Sequence, residues 1–301
     1  MKILVTGASG LLGANIAYMA AQRGADVLAA YNEHPVSIRG CRMQRLDILS
    51  QDFSAIRQFR PDCVVHCAAF TNVDGCEADP GKARLLNVEA TSRLLKACEG
   101  LGNRFIFMST DSVFGGDKPF HSEGEPVRPL NAYSRTKVEA ERLVAGFPNH
   151  AVVRTNFYGF NIQEKLSFSE WLHSRFLDGE KINAFTDFFF SPILANNLSD
   201  AILELAAGSF TGTMHVAGDG RISKYEFALL FAEKFGFDKS LVLPKKMAEV
   251  EALKARRPSD CSLDISKAKS LLRTRILNID SGIEKYKELY DSGYQKGLRG
   301  G

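Results

Sequence analysis

Tyr133 and Lys137 stand four residues apart in NAYSRTKVEAERL, a stretch with helical spacing, so both side chains project from one helix face. An ammonium beside a phenol favours the phenolate and lowers the phenol's pKa from its usual ~10, giving a proton donor or acceptor usable near neutrality. Thr110 follows the apolar run RFIFMS and offers a hydroxyl at the end of a strand, where open α/β sheets place their ligands. Interconversion of a carbonyl and an alcohol needs both kinds of group, one to exchange a proton and one to hydrogen-bond the reacting oxygen. A half-buried aromatic beside a solvated lysine has the same spacing, and spacing alone favours that plainer case.

A glycine turn supplies context. Thr6, Gly7, Gly10 and Gly13 read T-G-x-x-G-x-x-G between an apolar run at 2–5 and a helical pattern over 11–23 that opens with Leu11 and Leu12. In such a turn the first glycine permits the tight bend, the second lets backbone approach a pyrophosphate, and the third lets helix lie close on strand. The helix N-terminus adds free N–H groups and a positive dipole, so a dinucleotide is expected there. An NAD site wants an acid at the end of the second strand, but Tyr31 and Asn32 stand there, and Glu33 lies one step into the loop. Arg39 and Arg42 are near enough in sequence to meet a 2′-phosphate. The expected cofactor is NADP, with NAD the alternative and loop-solvating arginines the plainer reading.

The elements that must position these groups alternate regularly. Apolar runs at 26–31, 43–46, 62–69, 104–109 and 151–155 are separated by helical patterns, among them 79–101 and 131–144. Parallel neighbours need crossover connections, so the fold class is α/β, a Rossmann-type doubly wound parallel sheet. Helix 195–207 and strand 213–216 are expected to rejoin that sheet. This assigns 1–155 and 190–217 to the dinucleotide-binding domain, and 156–189 and 218–301 to a smaller C-terminal substrate lobe.

Composition narrows the class further. The 301 residues carry a net charge of only +3 with no block of like charge, which argues against a nucleic-acid or membrane-surface partner. No apolar run approaches the ~20 residues that span a bilayer, and the N-terminus lacks a signal-peptide pattern, so a cytoplasmic location is expected. Six cysteines without a C-x-x-C pair, and six scattered histidines, give neither a disulfide framework nor a metal site. His66 in VVHCAA reads as a strand residue beside the cofactor. The aromatics Trp171, Phe185, Phe188, Phe189 and Phe190 read as core before sugar pocket.

The glycine turn, the Ser109-Thr110 pair closing a strand and the Y-x-x-x-K at 133–137 occur in the order found in short-chain dehydrogenases. Asp47 with Ile48, Ala68 with Ala69, and Asn87 resemble the adenine-side, cofactor-lining and helix positions of the extended branch. AAFTNVDGCE at 68–77, STDSVFGG at 109–116, RTNFYG at 154–159, HVAGDGRISKYEFA at 215–228 and RPSD at 257–260 are similar to dTDP-4-dehydrorhamnose reductases across nearly the whole chain. The resemblance implies NADPH-dependent reduction of a 4-keto deoxysugar nucleotide. It implies Thr110 on the reacting oxygen, Tyr133 as proton donor, and Lys137 also holding the nicotinamide ribose. It places Val73, Asp74, Asp111 and Phe157 near the sugar, with an Asx turn the alternative for Asp74 and a turn cap for Asp111. It also implies a homodimer formed through the helices at 79–101 and 131–145.

Ser112 and Phe157 replace a tyrosine and a tryptophan usual in that family, which leaves the sugar open. Dehydratases of the same branch carry an Asp-Glu pair, and only Asp111 is present, so elimination lacks its base. Two alternatives stand beside the reductase: a sugar-nucleotide epimerase, and a non-catalytic dinucleotide-binding subunit resembling the regulatory subunit of methionine adenosyltransferase.

Overall fold

Strands that are covered on both faces are largely apolar, and the middles of the inner strands of this chain are. Ile3, Leu4, Val5, Cys63, Val64, Val65, Phe105 and Ile106 are all fully buried. The computed structural model describes residues 1–50, 52–250 and 253–299. Among these, seven parallel strands form the central sheet in the order Gly212–His215, His150–Arg154, Arg104–Met108, Cys63–His66, Lys2–Thr6, Asp26–Tyr31 and Arg42–Arg45. Strand order reverses at Lys2–Thr6, the doubly wound arrangement in which ligands bind beyond the carboxyl ends of the strands.

Helices cover both faces. Leu11–Gln22 packs against Ala195–Ala207 on one side. On the other, Leu94, Cys98, Ala140 and Val144 from the helices Ala90–Cys98 and Ala132–Ala145 meet Phe105, Phe107 and Val152 of the sheet. Asn131 starts the second of these helices by accepting from the Ser134 N–H at 2.9 Å, which satisfies one of the unpaired first-turn donors.

The single helix expected over 79–101 is divided. Val73–Ala78 and Pro80–Arg84 are short helices, Leu85–Glu89 is a π-helical turn, and Ala90–Cys98 completes the run. Asp79 breaks the path by capping the Lys82 N–H at 2.9 Å, with Pro80 in the first turn.

The rest of the chain builds three small ladders beside the sheet. Phe157–Tyr158 pairs with Ile193–Leu194, Ile182–Phe185 with Val242–Lys245, and Phe189–Phe190 with Ile222–Ser223. The helix Lys224–Phe235 begins with a reciprocal cap between Ser223 and Glu226. Its Phe227 and Phe231 are fully buried with Phe190, Phe160 and Tyr158. Of the aromatics expected to be core, Phe190 is buried, Trp171 and Phe188 pack partly buried against the core, and Phe185 and Phe189 are only half-buried.

Candidate active site

Gly7 bends the chain with φ +67°, and a Cβ there would sit 2.6 Å from the Ala68 backbone nitrogen. A Cβ on Gly13 would sit 2.3 Å from the Gly7 carbonyl oxygen. These two positions therefore require glycine, for the turn and for close approach of helix to strand respectively. Gly10 caps the helix with no side-chain hydrogen bond, so no side chain takes up the first-turn N–H groups. That leaves a donor cradle suited to a pyrophosphate. Leu12 is buried beneath it, Leu11 lies partly buried at its edge, and Ala68 and Ala69 line the neighbouring strand exit.

Behind the cradle, Thr6 bonds to His66 Nδ1 at 2.7 Å and His66 Nε2 to Thr91 at 3.1 Å. Burial, aided by the Lys137 cation, pushes His66 down to about 3, so the ring is a neutral tie between two strands and a helix. Asn87 accepts from the Phe70 N–H at 2.7 Å and donates to the Phe70 carbonyl at 3.1 Å and the Thr136 hydroxyl at 2.9 Å. It thereby joins the loop after Ala69 to the helix that carries Tyr133 and Lys137.

In the loops after Asp26–Tyr31 and Arg42–Arg45, Asn32, Arg39 and Asp47 are exposed and Ile48 is buried. Asp47 accepts from the Leu49 N–H at 2.9 Å, turning the chain after its strand. Arg42 is not at this end. It pairs with Asp26 and lies 4.9 Å over the Phe59 ring, at the amino end of its strand, so it faces away from any 2′-phosphate. Arg45, three residues on, is the exposed cation directly beside Tyr31. The periodicity of the strand, two faces over four residues, is the signal that separates these arginines.

Thr110, Asp111, Tyr133 and Lys137 converge at the carboxyl end of Arg104–Met108. Lys137 Nζ donates to the Met108 carbonyl at 2.7 Å and lies 4.0 Å from the Phe107 ring centroid. Burial lowers it to about 8, against the opposing pull of Glu141. Thr110 Oγ1 donates to Asp111 Oδ1 at 3.1 Å and accepts from the Ser112 N–H at 3.2 Å. Asn156 Nδ2 donates to the other Asp111 oxygen at 2.8 Å. Burial raises Asp111 to about 6 despite these bonds.

Tyr133 departs from the sequence expectation. Burial, and then the Asp111 charge, push its hydroxyl above the usual value, and a hydrogen-bonding contact with Thr110 offsets only part of the rise. Lys137 does not lower it, because its ammonium is turned to Met108. The phenol is neutral and carries its proton across the physiological range.

Of the other residues expected near a sugar, Asp74 accepts from the N–H groups of Lys254 and Ala255 at 3.1 and 2.9 Å and pairs with Arg257 at 2.7 Å. It anchors a distant loop, while Asn72 makes the turn cap at Gly75. Val73 is half-buried at the start of the following helix. Phe157 is 36% exposed. Ser112 bonds Ser134 at 2.7 Å, joining the Thr110 loop to the Tyr133 helix. Sequence reasoning passed over Glu141, Arg154 and Lys224, whose partners lie far away in the chain.

The family model of the RmlD substrate binding domain matches residues 1–291. The chain belongs to that family. A probable low-salt glycan biosynthesis reductase, Agl14, of Haloferax volcanii is 31% identical over 273 residues, which is 88% of this chain and 90% of that protein. The crystal structure of dTDP-4-dehydrorhamnose reductase from Bacillus anthracis, in complex with NADP, aligns with a TM-score of 0.84 at 25% identity, over 95% of this chain and 98% of that one. Methionine adenosyltransferase 2 subunit beta of Rattus norvegicus is 29% identical over 288 residues, 90% of this chain and 82% of that protein.

Proposed function

We propose that this protein reduces the 4-keto group of a dTDP-linked deoxysugar to an alcohol, with NADPH as the reductant. The observation that carries the reading is the contact of the Tyr133 hydroxyl with Thr110 at the carboxyl end of the sheet, together with a glycine cradle with unclaimed helix N–H groups. Gly7, Gly10 and Gly13, with Leu11, Leu12, Ala68 and Ala69, fit a dinucleotide there. Asn87 fixes the loop around it, and Asn32, Asp47 and Ile48 border its adenosine. Arg39 and Arg45 are the cations placed for a 2′-phosphate. When bound, the nicotinamide supplies the hydride.

The protein's own part is then positional and acidic. Thr110 hydrogen-bonds the carbonyl oxygen as negative charge develops, and Tyr133 gives that oxygen its proton. Lys137, anchored at Met108, would hold the nicotinamide ribose. Asp111, with Val73 and Phe157, borders the sugar. The exposed apolar side chains Leu85 and Leu143, 41% and 38% accessible on the two outer helices, support a homodimer. No helix among the described residues is long and apolar enough to cross a membrane, and we place the protein in the cytoplasm.

NADPH oxidation with dTDP-4-dehydrorhamnose is the test. Turnover is expected in the wild type, and loss of roughly 100-fold or more in Tyr133→Phe with NADPH binding retained. NADPH binding without turnover by the wild type would overturn the reductase. It would favour the second reading, a dinucleotide-binding regulatory subunit, which the similarity to methionine adenosyltransferase 2 subunit beta supports.

A further inference from the structure

Lys224 occupies the first position of its helix, where its N–H donates to the Phe188 carbonyl at 3.1 Å. Its ammonium lies 3.6 Å from the ring centroid of Phe190, 4.1 Å from that of Phe168 and 5.7 Å from that of Phe188. Three aromatic faces hold a cation well but give it no hydrogen-bond acceptor. Two other cations of this lobe are already matched, Arg221 with Asp260 at 2.6 Å and Arg257 with Asp74 at 2.7 Å. Lys224 makes no ion pair within 4.0 Å among the described residues.

The charge that Lys224 does feel is Asp111. Burial lowers Lys224 to about 7, and the Asp111 carboxylate is the first influence that opposes the fall. Asp111 in turn is pulled toward its ionised form by Lys224. The fold brings them to one place: Phe190, under the ammonium, is followed three residues on by Ile193, whose N–H donates to the Asn156 carbonyl at 2.9 Å, and Asn156 holds Asp111 at 2.8 Å, while ammonium and carboxylate stay more than 4.0 Å apart. A donor and an acceptor held apart in this way suit one neutral hydroxyl, whose oxygen accepts from the ammonium and whose proton goes to the carboxylate. A second anion would meet repulsion from Asp111.

We propose that Lys224 is a specificity-determining residue that, opposite Asp111, grips a free hydroxyl on the sugar carbon adjacent to the carbon being reduced. The adjacency follows from the chain. Asp111 directly follows Thr110 and its Oδ1 lies 3.1 Å from the Thr110 hydroxyl, so when that single proton turns to the substrate carbonyl, a hydroxyl on Asp111 lies next to the oxygen that Thr110 holds. For a 4-keto sugar that is the 3-hydroxyl. The inference rests on the sugar-nucleotide reading above.

Calorimetric binding, with NADP+ saturating, separates the two. The probes are dTDP-rhamnose and its 2-deoxy and 3-deoxy analogues, against wild type, Lys224→Met and Lys224→Arg. Hydrogen bonds to charged groups are lost at roughly 10- to 100-fold in affinity. Wild type is expected to bind the 3-deoxy analogue weaker by that factor and the 2-deoxy analogue much less so. Lys224→Met is expected to lose the same factor on dTDP-rhamnose and to bind it and the 3-deoxy analogue alike, with Lys224→Arg recovering part of the discrimination. Methionine suits the phenylalanine cradle, and an unchanged melting temperature confirms the fold. Lys224→Met that still discriminates as the wild type does, or a wild type indifferent to the 3-hydroxyl, overturns the assignment. Binding that follows the expected pattern without NADPH turnover discards the reductase and leaves Lys224 standing. A wild type that binds none of the three overturns both.

Discussion

Glu141 and Arg154 form a buried ion pair directly beneath the active site, and its loss should be felt in both stability and rate. Glu141 lies one helical turn beyond Lys137, and its carboxylate takes Arg154 Nη2 at 2.8 Å, Arg154 Nε at 3.0 Å and the Ser109 hydroxyl at 2.5 Å. The two residues are 7% and 6% exposed. Arg154 otherwise has a 3.5 Å contact to His215 and the Phe114 ring at 5.2 Å, neither of which neutralises it. Glu141→Gln keeps the shape and removes the charge, stranding the guanidinium. Such a loss costs about 3–5 kcal/mol, and at ~2–4 °C per kcal/mol for a chain of this order the melting temperature should fall by roughly 6–20 °C. Because Ser109 precedes Thr110, kcat should fall as well. Differential scanning calorimetry and NADPH oxidation read the two effects. The double variant Glu141→Leu with Arg154→Met should recover most of the stability, since replacing a whole buried pair by apolar groups is often neutral. A Glu141→Gln shift below about 2 °C, or a double variant as unstable as the sum of its single changes, refutes the argument.

Lys137→Met should abolish turnover yet raise stability at pH 7. The lysine is held at about 8 when folded against 10.5 when unfolded, which corresponds to about 3 kcal/mol. By the same difference the unfolded chain binds more protons between those values, so wild-type stability should rise with pH through roughly 8 to 10.5 and the variant should lack the rise. A denaturant series at several pH values measures it, and a flat wild-type profile counts against a buried charged Lys137. Gly13→Ala should weaken NADPH binding at least tenfold, because the added carbon lands on the Gly7 carbonyl at 2.3 Å. Unchanged affinity by fluorescence titration would remove the glycine cradle from cofactor binding. Arg45→Ala should raise the NADPH dissociation constant by about tenfold and leave NADH unaffected, while Arg42→Ala should change neither.

The fold was legible because its signals are local. Apolar runs buried on two faces and a glycine turn between strand and helix announce a doubly wound sheet before any long-range contact is known. Thr110, Tyr133 and Lys137 were legible for the same reason, each at the end of a strand or on one helix face. What escaped depends on distance in space. Arg42 and Arg45 look alike until strand register places one at each end of the sheet. Tyr133 was expected to ionise more readily beside Lys137, but the direction of a flexible ammonium is set by the Met108 carbonyl, 29 residues away. Asp74 was expected near the sugar, with an Asx turn as the alternative, yet it answers to a loop some 180 residues later. The same holds for Lys224, whose aromatic cradle comes from two other segments, Phe168 and the Phe188–Phe190 stretch.

The π-helical turn at Leu85–Glu89 acts as a phase shifter. An α-helix advances about 100° per residue, so one inserted residue rotates everything before it by that angle relative to everything after it. Upstream, Ala83 can face Cys76 and Ala132 while, downstream, Leu94 and Cys98 face the sheet, and Asn87 sits at the step between the two registers. Deleting a single residue there would yield a more regular helix with its two halves pointing in incompatible directions, and Asn87 would lose either Phe70 or Thr136. Chain length in this stretch is thus a setting in its own right, and point substitution on the helix surface should be tolerated far better than loss of one residue.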